Sequence, residues 1–261
     1  MDKDYKKINE THQIEGARQK KLKKRRISYF ILLLIIACSF FYICYRYLFK
    51  INSIEFVGNS YYSTDVLLKE FGVKEGDRLF SYSKSDKEEQ ILDAFPYLSE
   101  CEIKRKVPDK ITVTVSERES VMFTYVSGKY VIFDIEMHVV ELCEERPKGL
   151  FEVVFEDEII VKCILGEEII FNDKKTGIGV RRVYEAVSES SMFDKINKVI
   201  LKSRFDYYID YEGKYTVYLG DSRDCPSKLL FLSGILKKLP DDSGGKIDVS
   251  NPKEGYFKEE K

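Results

Sequence analysis

The run Ile27–Tyr45, ISYFILLLIIACSFFYICY, holds nineteen residues without a charge, a glycine or a proline. As a helix it rises about 28 Å at about 1.5 Å per residue, close to the thickness of a bilayer's hydrocarbon core. It reads as one transmembrane helix over 27–49. A cleaved signal peptide is the competing reading. That would need a shorter apolar region ending in a small-residue site, whereas this run continues into RYLFKI without one.

The flanks orient the span. Lys20, Lys21, Lys23, Lys24, Arg25 and Arg26 crowd its upstream end, against Arg46 and Lys50 downstream, so the positive-inside bias predicts a cytoplasmic N-terminus and an extracytoplasmic C-terminal part. Residues 1–26 carry ten Lys or Arg against four Asp or Glu, net +6, which leaves −7 for the remainder of a chain with formal charge −1. The tail is thus a basic strip beside an anionic leaflet, largely disordered through residues 1–19, and the outer part is mildly acidic. Nucleic-acid binding needs a basic folded surface, and the outer part has none.

Beyond the membrane the first apolar strand, INSIEFV, begins at once and closes at Gly58-Asn59. Ser63 can cap a helix running to Phe71, and Gly72 can end it. Ser85 and Glu88 form a capping box for a second helix, which Pro96 stops. Two strands follow, Leu98–Lys106 and the clean alternation of Lys110–Glu117, turned into each other by Pro108-Asp109-Lys110. Strand, helix, helix, strand, strand makes a small domain over 50–119 with helices on one face of a three-stranded sheet.

Short strands then dominate a second domain, 120–251. Ser127-Gly128 marks a hairpin, a helix is expected around Gly179–Val187, and KYTVYL is the strongest late strand. A leucine-rich helix is expected over Ser227–Leu239, a last strand over Lys246–Val249, and a charged tail over 252–261. The fold class expected is α+β, a single-pass membrane protein whose second domain is mostly antiparallel β with flanking helices.

The residues for enzymatic chemistry are sparse. The two histidines are His12, in the cytoplasmic tail, and His138. There is no G-x-S-x-G elbow, no H-E-x-x-H, no Cys cluster, no calcium-loop pattern and no phosphate-binding glycine loop. Lys175-Thr176-Gly177 and Ser81-Tyr82-Ser83-Lys84 match two of three elements of penicillin-binding enzymes by count. Ser-Asp-Asn is missing, and the two matches fall in different domains. Neither a catalytic residue, a cofactor nor a metal is expected. Cys101, Cys143, Cys163 and Cys225 lie outside the membrane without CxxC spacing; they can remain free, or form two bridges in three connectivities.

The order of elements and several local strings resemble the bacterial cell-division family called FtsQ in one branch and DivIB in another, with DivIB the nearer. The strings are Val57-Gly58-Asn59 with Tyr62-Ser63, Gly72 with Gly76-Asp77-Arg78-Leu79-Phe80, Arg105 to Ile111 around Pro108, and Ile247-Asp248-Val249. The resemblance implies that 50–119 is a POTRA-type domain and that the protein is a non-enzymatic scaffold of septal peptidoglycan synthesis. It implies a cell-membrane location enriched at the division septum. The implied partners are FtsL-like and DivIC/FtsB-like single-pass proteins, and through them the septal synthases. In the family the last strand of the second domain and the helix near it receive a partner strand and helix. Carried to this chain, that patch is Lys246, Ile247, Asp248, Val249, Ser250 and Asn251 with exposed positions of Ser227 to Lys238, among them Lys228, Lys237 and Lys238. Asn251 stands where a family member has an aromatic, so backbone pairing carries the expected contact. A wall-metabolism enzyme, or a POTRA-type chaperone or sensor outside division, are the alternatives.

Overall fold

The computed structural model describes residues 2–259 apart from 157, 241 and 242, and for residues 2–22 the backbone alone. It opens with α1, Asp2–Leu48. Lys23–Leu48 is, among the described residues, the helix long and apolar enough to cross a membrane. The helix also takes in residues 2–19, expected to be disordered. A span in lipid must be helical to pair its backbone groups, and it serves as a nucleus. The Lys-, Arg- and Gln-rich tail then only has to propagate a helix, for which its side chains have good propensity.

The next elements are β1 (Ser53–Val57), α2 (Thr64–Phe71), α3 (Lys84–Ala94), β2 (Leu98–Lys106) and β3 (Lys110–Glu117), the order expected. The three strands lie in the order β1-β3-β2. The central β3 buries Ile111, Val113 and Val115, as its alternation requires. Leu67 and Phe71 of α2 and Ile91 of α3 are fully buried. One expectation fails here. Because α3 starts at Lys84, Ser85 already lies inside the helix and cannot cap it; Ser83, another capping residue type, occupies the position before it.

By its contacts the chain divides into two compact units, 1–57 with 72–84 and 103–113, and 58–71 with 85–102 and 114–261. In the first unit no linker separates span from fold. The Phe49 carbonyl accepts from Leu79 N–H at 2.9 Å, Ile51 N–H donates to Asp77 at 2.8 Å, and Gly76 N–H returns to Ile51 at 2.7 Å. Asn52 ties on through its backbone N–H and its side chain, each 2.8 Å from an oxygen of Asp109.

The second unit continues with β4 (Met122–Val126), β5 (Lys129–Phe133), β6 (Val139–Cys143), β7 (Phe151–Phe155), β8 (Ile160–Lys162), β9 (Ile170–Phe171), α4 (Thr176–Ser188), β10 (Ile196–Ser203), β11 (Asp206–Tyr211), β12 (Tyr215–Gly220), α5 (Cys225–Leu236), β13 (Gly245–Asn251) and β14 (Glu254–Glu259). Among the described residues nine of these strands form one sheet, in the order β14-β13-β12-β11-β10-β7-β4-β5-β6, while β8 and β9 pair separately. The sheet is mostly antiparallel, with parallel joints at β4–β7, β7–β10 and β12–β13. Parallel neighbours need crossovers, and α5 supplies the one between β12 and β13. The core gathers Val180, Val183 and Val187 of α4 and Leu229 and Leu232 of α5 with Tyr207, Ile209, Val217, Ile247 and Val249 of the sheet.

The string Val57-Gly58-Asn59 with Tyr62-Ser63 has a geometric cause. A Cβ on Gly58, at φ +94°, would stand 2.1 Å from the Val115 carbonyl oxygen. Asn59 Nδ2 donates to the Tyr62 carbonyl at 2.9 Å, and the Ser63 carbonyl accepts the first bond of α2 from Leu67 at 3.2 Å. Gly72, at φ +68°, ends that helix. Gly58→Ala combines a left-handed alanine with a backbone clash and is expected to cost more than about 2 kcal/mol. Gly128→Ala, at φ +85° with open space around it, is expected to cost only about 1 kcal/mol. Urea unfolding of the detergent-solubilised chain distinguishes the two.

Candidate partner-docking surface

The patch implied by resemblance rests on β13, and the structure revises it. Ile247 and Val249 are buried in the core, while Lys246 is exposed and Asp248 and Ser250 are half-buried. The backbone of β13 is already paired on both sides, parallel to β12 and antiparallel to β14. The strand expected at the sheet edge is therefore interior. Glu254–Glu259, within the stretch expected to be a charged tail, supplies the edge instead. Asn251 faces Glu254 across Pro252-Lys253, and Asn251 Oδ1 accepts from Lys253 N–H at 3.1 Å, closing the turn. Tyr256 and Phe257 give β14 its strand character, and the Phe257 ring lies 6.3 Å from that of Tyr215.

The basic residues of the patch divide too. Lys228 is 3% exposed, and its ammonium donates to the Asp221 carbonyl at 2.8 Å, so it braces the start of α5 from within and offers nothing to a partner. The burial has a sequence cause: α5 begins at Cys225, before the expected Ser227, and Lys228 shares a face with Cys225, Leu229 and Leu232. Lys237 and Lys238 follow the helix, exposed, where cations complement its C-terminal dipole.

What remains open is β14 and the outer side of α5. Every described residue of β14 is exposed, Tyr256 at 69%. Beside it Leu230, Phe231, Gly234, Ile235 and Pro252 line a groove of about 490 Å³, in which Leu230 is 77% exposed. Gly255 brings strand and helix together. A Cβ there would lie 2.8 Å from Phe231 and 2.9 Å from Ile235, so the strand approaches α5 as closely as glycine allows. Tyr256 was not among the residues expected from sequence, whereas Leu230 is one of the exposed positions of Ser227 to Lys238 that the resemblance implied. The adjacent Tyr256 and Phe257, both strand-favouring, were the available signal, masked by the charges around them.

Two polar clusters support this unit. At the end of the POTRA-type module, three successive amides, Ser60, Tyr61 and Tyr62, converge on the Glu117 carboxylate at 2.8 to 3.4 Å. Next to it, Arg118 pairs with buried Asp134 at 2.7 Å, Arg118 N–H donates to the Tyr97 carbonyl at 2.7 Å, and the Tyr97 hydroxyl donates to Glu141 at 2.7 Å. Burial and Glu141 raise the Tyr97 pKa. His138 belongs here. Its donor atoms lie with those of Asp134 and Glu136 within 4.8 Å of one another, but the Asp134 carboxylate is already taken by Arg118 and by the N–H groups of Glu136 and His138. The cluster is a charge-paired corner.

The pattern that matched penicillin-binding enzymes also has structural work. Thr176 is buried in the first turn of α4, and Ser81 Oγ donates to the Arg78 carbonyl at 2.8 Å. Among the described residues no disulfide is formed, and burial pushes the thiols of Cys163 and Cys225 up to about 11, far from the reactive range.

The fold is that of a single-pass membrane protein with a POTRA module and a β-rich second domain. Residues 49–118 match the family described as "POTRA domain, FtsQ-type". The chain is 27% identical over 263 residues to a Cell division protein DivIB of Clostridium botulinum, covering 96% of each chain. It is 23% identical to a Cell division protein FtsQ of Corynebacterium glutamicum over 78% of this chain and 84% of that one. An 82-residue stretch is 29% identical to a Cell division protein DivIB of Staphylococcus aureus. The resemblance to the FtsQ/DivIB cell-division family therefore holds over nearly the whole chain, and that family is not a known enzyme family.

The Asp221 carboxylate has its pKa lowered to about 2, first by the Arg223 side chain, then by the Arg223 N–H and the nearby Lys228 charge, against the cost of burial. A depressed folded pKa stabilises above the unfolded value, and the contribution disappears as pH falls through the folded one. Because Arg223 is largely exposed, about 1 kcal/mol is expected after solvent screening. Asp221→Asn is expected to lose that amount at pH 6 and almost nothing at pH 2, read from unfolding midpoints across this range.

Proposed function

We propose that this chain is a non-enzymatic divisome scaffold whose β14 edge accepts a strand from a single-pass partner while the groove on α5 accepts an adjoining helix of the same partner. The observation that carries this is the adjacency of an unpaired sheet edge and an exposed apolar helix face, joined through Gly255. Strand addition supplies affinity through backbone hydrogen bonds, and an apolar groove supplies side-chain selectivity. The family name points to division as the setting. The partners are FtsL-like and DivIC/FtsB-like proteins, and through them the septal peptidoglycan synthases. The chain resides in the cell membrane, N-terminus cytoplasmic, gathered at the septum.

On this reading the contact patch moves outward from the implied one. Lys246, Asp248 and Ser250 flank it, Ile247 and Val249 hold up the sheet, and Lys237 and Lys238 rim it, next to an outer part that is acidic overall. Lys228 takes no part. Septal synthesis is served by bringing proteins together, which asks for surfaces in place of a catalytic constellation.

A photo-crosslinking residue replacing Tyr256 in the full-length protein is expected to capture a single-pass division protein in dividing cells. Leu230→Arg is expected to weaken that complex about tenfold or more while leaving the circular dichroism spectrum unchanged. Undiminished binding by a folded Leu230→Arg protein would remove α5 from the interface. A fluorescent fusion spread evenly over the envelope, without mid-cell enrichment, would reject the division role.

A further inference from the structure

The side of the first unit next to the membrane span carries a feature that neither anchoring by one helix nor partner docking uses. α1 ends at Leu48, and the next carbonyl, Phe49, is bonded to Leu79 N–H at 2.9 Å. Lys50 and Arg78 form a bridge pair beside it. The 77–80 turn is thus held one hydrogen bond away from the residue that follows the span. Headgroup layers add about 5 to 8 Å on each side of the hydrocarbon core, so a turn pinned there stands in or against that layer.

Its side chains suit the position. A run of rings leads out of the span: Tyr45 to Phe49 at 6.2 Å, then Phe49 to Phe80 at 5.6 Å. The Arg105 guanidinium lies 5.4 Å from the centre of the Phe80 ring and 4.6 Å from that of Tyr82, and it donates to the Tyr82 carbonyl at 2.7 Å. Phe80 is nevertheless 46% exposed, and Lys50 and Arg78 are exposed beside it. Two nearby acids are engaged at their own turns. Asp77 accepts from Lys74 N–H at 2.8 Å and Asp109 accepts from Asn52 at 2.8 Å. An aromatic with an apolar body, flanked by long cationic side chains, matches the composition that settles at a bilayer surface.

We propose that this turn is a lipid-contact site, in which Phe80, backed by Arg105, enters the outer-leaflet headgroup layer and Lys50 and Arg78 face the phosphates of anionic phospholipids. The ligand is the lipid surface itself. The contact rests on Lys23–Leu48 spanning the bilayer. It fixes the first unit at the membrane surface through a second point, beside the helix.

The chain has no tryptophan, which makes the test direct. Full-length protein carrying Phe80→Trp, or Leu33→Trp within the span, is reconstituted into vesicles of phosphatidylcholine and phosphatidylglycerol brominated on acyl carbons near the headgroup or deep in the chains. Expected results are that shallow bromines quench the F80W reporter at least twofold, that deep bromines quench L33W, and that adding Arg78→Glu lowers F80W quenching in the anionic vesicles but not in phosphatidylcholine alone. Quenching of L33W without any quenching of F80W overturns the lipid contact and leaves the anchor standing. Absence of quenching at both positions overturns the anchor and the contact together. F80W quenching that Arg78→Glu leaves unchanged in anionic vesicles overturns the role of the basic side chains.

Discussion

Backbone pairing between residues 49–52 and the 76–79 turn and Asp109 is the constraint on which the outer architecture depends. A helix leaving a bilayer has unpaired carbonyls at its end, and water or neighbouring chain must satisfy them. Here Phe49 and Ile51 find partners in Leu79, Gly76 and Asp77, so the end of α1 and the start of the first unit are one hydrogen-bonded structure. Rotation or tilt of the span is thereby passed to that unit without a slack segment to absorb it.

In the second unit the same economy operates through carboxylates. Glu117 gathers three amides that open α2, Asp134 holds Arg118 and two amides of its own turn, and Asp221 holds Arg223 and the buried Lys228. Each sits where the chain changes direction between regular elements. Removing one would strand several donors at once. The sheet can then carry an open strand at one end while its centre stays closed by α4 and α5.

Much of this was legible in the sequence because the signals were local. A nineteen-residue uncharged run has the length and composition of a span, and the alternation of Lys110–Glu117 announced a central strand. Gly58 and Gly72 appeared as turn signals, and both adopt positive φ. What stayed hidden depends on pairing at a distance or on competition between neighbouring residues of one type. Ser83 and Ser85 are equally good caps by type, and only the helix start separates them. Lys228 looked like surface because lysine usually is; its burial follows from a carbonyl at Asp221 that no helical pattern reveals. The β14 strand was lost among charges, since Glu254, Lys258 and Glu259 outweigh Tyr256 and Phe257 in any polarity reading. That error shifted the expected docking edge inward by one strand.

The missing side chain at Gly255 has a consequence for how a partner could be held. Because strand and helix touch there, the ladder of unpaired amides and the greasy trough are not separate stations but halves of one continuous track. A ligand gripping one half finds the other already within reach, so the second contact forms at high effective concentration, and release requires both to let go. A side chain at this point would have to displace the ends of Phe231 and Ile235, and with them the surface on which the two halves meet.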